Sequence, residues 1–138
     1  MKVHVDYNAL RRFKRYASRK YPNEVFGILL GHKFKNFIVI KDIHIPKIKE
    51  SAYAWVIPDY EDVDRIISEH HLTHLGDIHS HPNYTATPSE GDYQTWDVRE
   101  TPIMGILSIR KRAKYKTTEL TFWQKHKACP IKYRVKKF

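Results

Sequence analysis

The chain has 138 residues, a formal net charge of +10 and a hydrophobic share of 41%. This length supplies one hydrophobic core, so we expect a single domain over residues 1–138. No segment reaches the ~18 apolar residues of a membrane helix, and the N-terminus lacks the apolar core of a signal peptide, so no membrane association is expected. Cys129 is the only cysteine, which excludes an intrachain disulfide and favours a reducing, cytoplasmic location.

Hydrophobic periodicity and turn residues predict alternating strands and helices in the first half of the chain. In chain order these are a strand over 2–6, a helix over 8–20, strands over 24–30, 37–45 and 52–57, and a helix over 59–71. Asn8 is the expected N-cap of the first helix, and a turn is expected over 31–36. Asp59 begins the second helix, and the acids that follow it suit the positive end of the helix dipole.

The second half continues the alternation. The predicted elements are a strand over 73–80, a helix over 89–98, strands over 103–110 and 115–125, and a strand or helix over 131–135. Pro82 stops the first of these strands, because proline cannot donate a ladder hydrogen bond. The whole order predicts an α/β fold of mixed α+β type, in which a curved sheet is flanked by helices.

Residues 79–92 carry the pattern with the clearest chemical meaning. In an extended segment alternate side chains share a face, so His79 and His81 point the same way and Ser80 points back. Asp92 adds a carboxylate to the two imidazoles, and this mixed set suits zinc. Three protein ligands leave the fourth tetrahedral position to water, as a catalytic zinc site requires and a structural one does not.

A hydrolytic zinc site also needs a base for its water. Glu24 is the only acid in the strand-like run that ends at Gly31. A carboxylate at the mouth of such a strand is either desolvated, which raises its pKa, or paired with a cation. Both outcomes suit proton transfer at neutral pH.

Together these residues resemble the JAMM signature, which marks the zinc metalloproteases among MPN/JAB domains. The resemblance rests on Glu24, His79, His81, Ser89 and Asp92, and it covers nearly the whole chain. It implies that the two histidines and Asp92 bind one Zn²⁺, that Glu24 is the general base, and that Ser89 donates a hydrogen bond to the tetrahedral intermediate. It also implies an MPN/JAB-like curved sheet with a cytidine-deaminase-like arrangement. The short chain is similar to minimal prokaryotic, archaeal or phage members.

Each of these residues also has a simpler interpretation. A lone His-x-His pair is most often structural, and Glu24 alone would be a solvated charge at a strand end. Ser89 is a good N-cap with Asp92 in the first helical turn, which is compatible with a metal role because it fixes the carboxylate opposite the histidine strand. The remaining histidines are interpreted as structural: His70, His71 and His74 at a helix end, and His4, His32, His44 and His126 because ligands at suitable spacing are missing.

The charge is distributed unevenly along the chain. Residues 59–100 hold ten acids and two bases, which is a net charge of −8. The other residues therefore carry +18, and the two parts give the net charge of +10. Arg11, Arg12 and Arg15 belong to a basic first helix, and further bases follow in a predicted hairpin and in the last fourteen residues. A basic face of this kind suits binding of nucleic acid or of an acidic protein partner. Alternatively, it is a solvated face that keeps the protein soluble.

Two classes of function follow. The JAMM resemblance implies a zinc isopeptidase or peptidase that cuts after the C-terminal glycine tail of ubiquitin, a ubiquitin-like protein or a sulfur-carrier protein; cell-wall and tail-assembly peptides are further substrates of such minimal domains. The alternative is a basic binding or scaffold module, for nucleic acid or a larger complex, with a non-catalytic metal site. Neither the substrate nor the oligomeric state follows from the sequence.

Overall fold

A curved, mixed sheet with helices on both faces forms the framework of the protein, in a computed structural model that describes residues 1–124 and 129–138. In chain order the elements are β1 (Lys2–Asp6), α1 (Tyr7–Lys20), β2 (Phe26–Lys33), β3 (Phe37–His44), β4 (Ile48–Ser51), β5 (Val56–Pro58), α2 (Tyr60–Glu69), β6 (Thr73–Pro82), α3 (Glu90–Arg99), β7 (Ile103–Lys111), β8 (Lys116–Gln124), β9 (Pro130–Ile131) and β10 (Tyr133–Lys136). The predicted mixed α+β class is confirmed.

The strand order within the described ranges is β10-β1-β3-β2-β6-β7-β8-β9, and β4 and β5 form a separate hairpin. Strand β6 lies between β2, which runs antiparallel to it, and β7, which runs parallel. The parallel connection requires a crossover, and α3 provides it. The register places His79 opposite Phe26 on β2 and opposite Ile106 on β7.

Apolar side chains cover both faces of the sheet. On one face, α1 buries Ala9, Leu10, Phe13 and Ala17 against the main core. The other face carries two smaller clusters, one under α2 that includes Phe26, and one beside α3 that includes Ile106. His79 lies between these two clusters, because its neighbours across the sheet belong to one each.

Several predicted boundaries were wrong. The N-cap of α1 is Asp6 and not Asn8, since the Asp6 carboxylate accepts the Ala9 N–H at 3.0 Å while its backbone still ends β1. Gly31 lies inside β2 at a bulge and not in a turn. Only glycine fits there, because a Cβ would lie 1.9 Å from the Val39 carbonyl oxygen.

The predicted strand over 52–57 was also wrong. Residues 52–55 are instead the loop of the β4–β5 hairpin, closed by the Ala52 N–H donating to the Trp55 carbonyl at 2.9 Å. The continuous apolar run over 52–57 suggested a strand, but Tyr53 is 72% exposed at the hairpin tip. At the C-terminal end, 131–135 divides between β9 and β10, and the predicted end of the 115–125 strand lies outside the described residues, as does His126.

Candidate metal centre and active site

Strand β6 presents His79 and His81 side by side on one face, as the alternation predicted. Their Nε2 atoms are 3.0 Å apart. The Asp92 carboxylate of α3 faces both rings, with Oδ1 at 3.1 Å from Nε2 of His79 and Oδ2 at 3.3 Å from Nε2 of His81. The three predicted ligands therefore meet at one point, although two of them lie on strand β6 and the third lies on helix α3.

The start of α3 fixes the position of Asp92. Ser89 is the N-cap, and its Oγ accepts the Asp92 N–H at 3.2 Å while Oδ2 of Asp92 accepts the Ser89 N–H at 2.8 Å. This reciprocal capping box holds the carboxylate one turn inside the helix. The interpretation of Ser89 as an N-cap is confirmed, and the same geometry directs Asp92 to the histidines.

The loop between β6 and α3 is anchored to the rest of the sheet. The Trp123 Nε1–H donates to the Ala86 carbonyl at 3.1 Å, and the Ser108 hydroxyl donates to the Tyr84 carbonyl. At the other end of α3, the Trp96 Nε1–H donates to the Thr101 carbonyl at 2.8 Å. These bonds restrict how far α3 moves relative to β6, and so they keep the donor atoms together.

The donor set fits a metal ion. The ligand atoms of His79, His81 and Asp92 all lie within 4.8 Å of one another. The two Nε2 atoms, 3.0 Å apart, are close to the edge of a tetrahedron with ~2 Å metal–ligand bonds, which is roughly 3.3 Å, and each of them faces one oxygen of Asp92. The Nδ1 atom of His81 donates to the Thr85 carbonyl at 2.7 Å, and this hydrogen bond leaves the Nε2 lone pair for a metal.

Electrostatics in the centre also favour a cation. Burial alone would raise the pKa of Asp92, but hydrogen bonds from both histidines hold that pKa far below its ordinary value. Burial would lower the pKa of His81, yet the hydrogen bonds with Asp92 and Thr85 raise it overall. Protons are thus held between these groups, and a divalent cation can replace them.

Glu24 faces the same cavity from the segment just before β2. It precedes the strand by two residues, where the prediction placed it inside the strand. The Ser80 hydroxyl accepts the Val25 N–H at 2.9 Å, and the Ser51 hydroxyl donates to the Glu24 carbonyl at 2.6 Å. Ser80 thus points away from the metal face, as predicted, and holds the backbone that carries Glu24.

The Glu24 side chain is in an environment that disfavours its charged form. The residue is only 9% exposed. Burial raises the pKa of Glu24; His79 and His81 oppose that shift, and Asp92 adds to it. A carboxylate of this kind is suited to accept and return a proton near neutral pH.

The metal donors and Glu24 line one cavity of about 510 Å³. The β4–β5 hairpin and α3 form its walls, with Trp55 on the hairpin and Trp96 on the helix. Ser89 also lines the cavity, so its hydroxyl is available there in addition to its role as a cap. All five residues of the predicted site are therefore present at one place in the structure.

Comparison with known proteins agrees with this geometry. The sequence model for prokaryotic homologues of the JAB domain matches residues 7–125. The chain belongs to the prokaryotic JAB family. No curated protein matches this JAB domain significantly.

Two solved structures share the fold of this JAB domain. A solution structure of a protein from Desulfitobacterium hafniense has a TM-score of 0.72 and 16% sequence identity, and the match covers 99% of this chain and 94% of that chain. A crystal structure of a JAB1/MPN domain protein from Archaeoglobus fulgidus has a TM-score of 0.64 and 16% identity, with 97% of each chain covered. The MPN/JAB fold expected from the resemblance is confirmed by these neighbours.

Sequence reasoning missed a second group of metal-ligand side chains in this JAB domain. Asp42, His44 and His70 bring ligand atoms within 4.8 Å of one another. The interpretation of His44 as lacking partners was therefore wrong, and the signal was available, because Asp42 and His44 alternate on β3 as His79 and His81 do on β6.

The contacts of this second group are satisfied without a metal. The Leu72 N–H donates to Nδ1 of His70 at 3.1 Å, so the proton of the neutral ring lies on Nε2, which faces Asp42 at 3.9 Å. The other oxygen of Asp42 accepts a hydrogen bond from Arg12 at 2.8 Å. A metal at Nε2 of His70 would displace that proton and break the contact with Leu72.

The described residues contain no helix long and apolar enough to cross a membrane.

Proposed function

We propose that this JAB domain is a zinc-dependent peptidase or isopeptidase of the JAMM type. The observation that supports the proposal most strongly is the meeting of three metal donors and the buried Glu24 carboxylate in one cavity. A structural zinc site needs a fourth protein ligand and no base. The group of His79, His81 and Asp92 provides three ligands with a carboxylate of raised pKa beside them.

The mechanism assigns a separate task to each residue. His79, His81 and Asp92 would hold the metal. Zinc, when bound, supplies Lewis-acid chemistry, in that it polarises the scissile carbonyl and makes water a stronger acid. Glu24 then accepts the proton of the attacking water and delivers it to the leaving amine nitrogen.

Ser89 would stabilise the oxyanion that develops as the carbonyl is attacked. Its Oγ already accepts a hydrogen bond from the Asp92 N–H, so its own hydroxyl proton remains to be donated. A donor fixed in place before the reaction needs no reorganisation in the transition state. The capping role thus orients the hydroxyl for the proposed catalytic role.

The proposed substrate is the C-terminal tail of ubiquitin, a ubiquitin-like protein or a sulfur-carrier protein that ends in Gly-Gly. The Glu24 segment and the β4–β5 hairpin both line the cavity, and they are joined by the Glu24 N–H donating to the Ala52 carbonyl at 2.8 Å. A tail of small residues allows close approach of one backbone to another in such a groove.

A linear or isopeptide-linked fusion that ends in Gly-Gly tests the proposal. We expect the zinc-loaded protein to cut after the second glycine, and phenanthroline to stop the reaction by removing the metal. The His79→Ala protein is the matched control. If no such fusion is cut while nanomolar nucleic-acid binding is measured at physiological salt, the binding-module alternative replaces the peptidase.

A further inference from the structure

Asp77 is an acid in the proposed active-site cavity that the mechanism does not use. It lies two residues before His79 on β6, so both side chains point to the same face. Their Cα atoms are roughly 7 Å apart along an extended strand. The cavity therefore continues from the metal donors towards a second carboxylate.

One oxygen of Asp77 remains available in that cavity. Oδ1 contacts Nε2 of His74 at 3.2 Å, and the Asp77 side chain is 16% exposed. Among the backbone groups and side chains that the structure describes, none donates a hydrogen bond to Oδ2 of Asp77. A carboxylate oxygen that is largely removed from water and lacks a protein donor is stabilised by a ligand that donates to it.

The walls at this end of the cavity are apolar or aromatic. Met104 lies directly opposite Asp77 on β7, and Phe26 lies opposite His79 on β2. Val56 packs against the cluster that contains Phe26, and Trp55 and Tyr60 also line the cavity. A lysine or arginine side chain matches these surroundings, because its apolar stem packs along such walls while its charge meets the carboxylate.

The cavity differs from the protein as a whole in the kind of charged side chain that lines it. The chain has 25 lysines and arginines and a net charge of +10, yet none of the described ones lines this cavity. The acids that line it are Glu24, Asp77 and Asp92. Asp92 is one of the metal donors, and Glu24 is assigned to proton transfer. Asp77 is the acid that remains for a positively charged part of the substrate.

We propose that Asp77 is the anchor of a cation-binding subsite, which selects substrates that carry a lysine or arginine side chain close to the scissile bond. The inference rests on the proposed peptidase function and names its substrate class. If the substrate lies extended along β6, its residues have about the same spacing as those of the strand. The basic residue is then about two residues from the residue whose carbonyl is attacked, as Asp77 is from His79.

A set of peptides with one moving arginine tests the subsite. All peptides share the same Gly-Gly cleavage site. Each carries one arginine, at a different position between three residues before and three residues after that site. A matching peptide with norleucine at the same position is the uncharged control. We expect arginine at one position to raise kcat/KM by roughly ten-fold or more in the wild type. Asp77→Asn is expected to remove this preference, so that arginine and norleucine peptides are cut with similar kcat/KM.

His74→Gln is the matched control for the contact between His74 and Asp77. This variant removes the imidazole and keeps the Asp77 carboxylate, so the preference for arginine persists. If Asp77→Asn lowers cleavage of every peptide equally, Asp77 is a structural partner of His74 and the subsite is refuted. A preference that survives in Asp77→Asn, or no preference at any position, refutes it as well.

A binding measurement separates failure of the subsite from failure of the peptidase. Fluorescein-labelled arginine and norleucine peptides are titrated with zinc-loaded Glu24→Gln protein, and fluorescence anisotropy gives their affinities. We expect the best arginine peptide to bind roughly ten-fold more tightly than its norleucine counterpart, and this difference to vanish when Asp77→Asn is added. Equal affinities, or a difference that persists in Asp77→Asn, overturn the subsite, and a difference that vanishes in Asp77→Asn supports it even if no peptide is ever cut.

Discussion

Glu24 combines burial with a charge that its surroundings disfavour, which makes it the most informative single residue. We expect Glu24→Gln to keep its zinc and to lose at least roughly 100-fold in turnover, because the variant keeps the shape and removes the base. Steady-state kinetics with elemental analysis of the same sample measures both. Full activity with zinc present would mean that another residue activates the water.

Glu24→Gln also tests the raised pKa through stability. In the metal-free protein the pKa of Glu24 is higher folded than unfolded, so the folded state binds more protons between the two values and stability falls as the pH rises through them. Glu24→Gln avoids this cost and is expected to melt at a higher temperature than the wild type at pH 7. This difference in melting temperature should disappear as the pH falls below the ordinary pKa of a glutamate side chain. A difference in melting temperature between Glu24→Gln and the wild type that stays the same at both pH values would contradict the desolvated carboxylate.

Ser89 has two roles that substitution can separate. Ser89→Ala removes the cap and the hydroxyl, and we expect a loss of about 1 kcal/mol in stability and on the order of 10²-fold in turnover. Ser89→Thr keeps both groups and should retain most of both properties. If Ser89→Ala loses stability while turnover is unchanged, Ser89 is a helix cap alone.

At the scale of the strands and helices, the backbone of β6 approaches that of β7 very closely at Gly76. A Cβ at Gly76 would lie 1.8 Å from the Ile103 carbonyl oxygen on β7, so Gly76→Ala must move one strand away from the other. We expect it to lower the free energy of unfolding by about 1–3 kcal/mol and to weaken zinc binding, since β6 carries both histidines. Chemical denaturation and zinc titration measure the two effects.

Gly91→Ala in α3 is the control for Gly76→Ala. A Cβ at Gly91 meets only the Ser89 Oγ at 3.9 Å, which is an ordinary contact. Alanine also forms helix more readily than glycine, so stability should be unchanged or rise by up to about 1 kcal/mol. Equal losses in the two variants would remove the argument for close approach at Gly76.

Some elements were predictable from sequence because their signals are local. The alternation of His79, Ser80 and His81 predicted a shared face, and Ser89 predicted the start of α3. The β4–β5 hairpin was missed because its loop is a continuous apolar run that resembles a buried strand, and the exposure of Tyr53 depends on the tertiary fold. The bulge at Gly31 was missed for a similar reason, since the approach of Val39 comes from a neighbouring strand.

The site was more predictable than its surroundings. The three metal donors and Glu24 follow from chemistry and spacing, and Ser89 follows from the resemblance to the JAMM pattern, whereas the groups that position these residues act across long separations. Ser80 holds the Val25 N–H, and Trp123 holds the Ala86 carbonyl. Asp77 is adjacent to the histidines in sequence, but only the structure shows that it lines the same cavity. Contacts of this kind leave no periodic signal in one sequence.

At the scale of the whole molecule, the basic helix and the proposed active site lie on opposite faces of the sheet. Helix α1 packs against the main core, while His79 and His81 face the other side. Arg11, Arg15 and Arg19 are exposed, whereas Arg12 is paired with Asp42. The α1 face is therefore proposed to attract an acidic protein from a distance and to leave the chemistry unaffected.

Reversal of three charges on α1 tests this separation. Arg11→Glu, Arg15→Glu and Arg19→Glu together remove two charges each and reduce the formal net charge from +10 to +4. We expect kcat/KM for an acidic Gly-Gly-terminated protein to fall, in the same direction as added salt, while cleavage of a short peptide changes less than about two-fold. If the peptide reaction falls as steeply as the protein reaction, α1 contributes to the active site.

The metal content of the purified protein tests the account most directly. After dialysis against zinc-free buffer, elemental analysis should find about one Zn²⁺ per chain in the wild type and in the Asp42→Ala, His44→Ala control, which disrupts the second group. The His79→Ala, His81→Ala, Asp92→Ala protein should hold less than roughly a tenth of that amount. Equal zinc in the wild type and in this triple variant would contradict the metal centre and the peptidase derived from it.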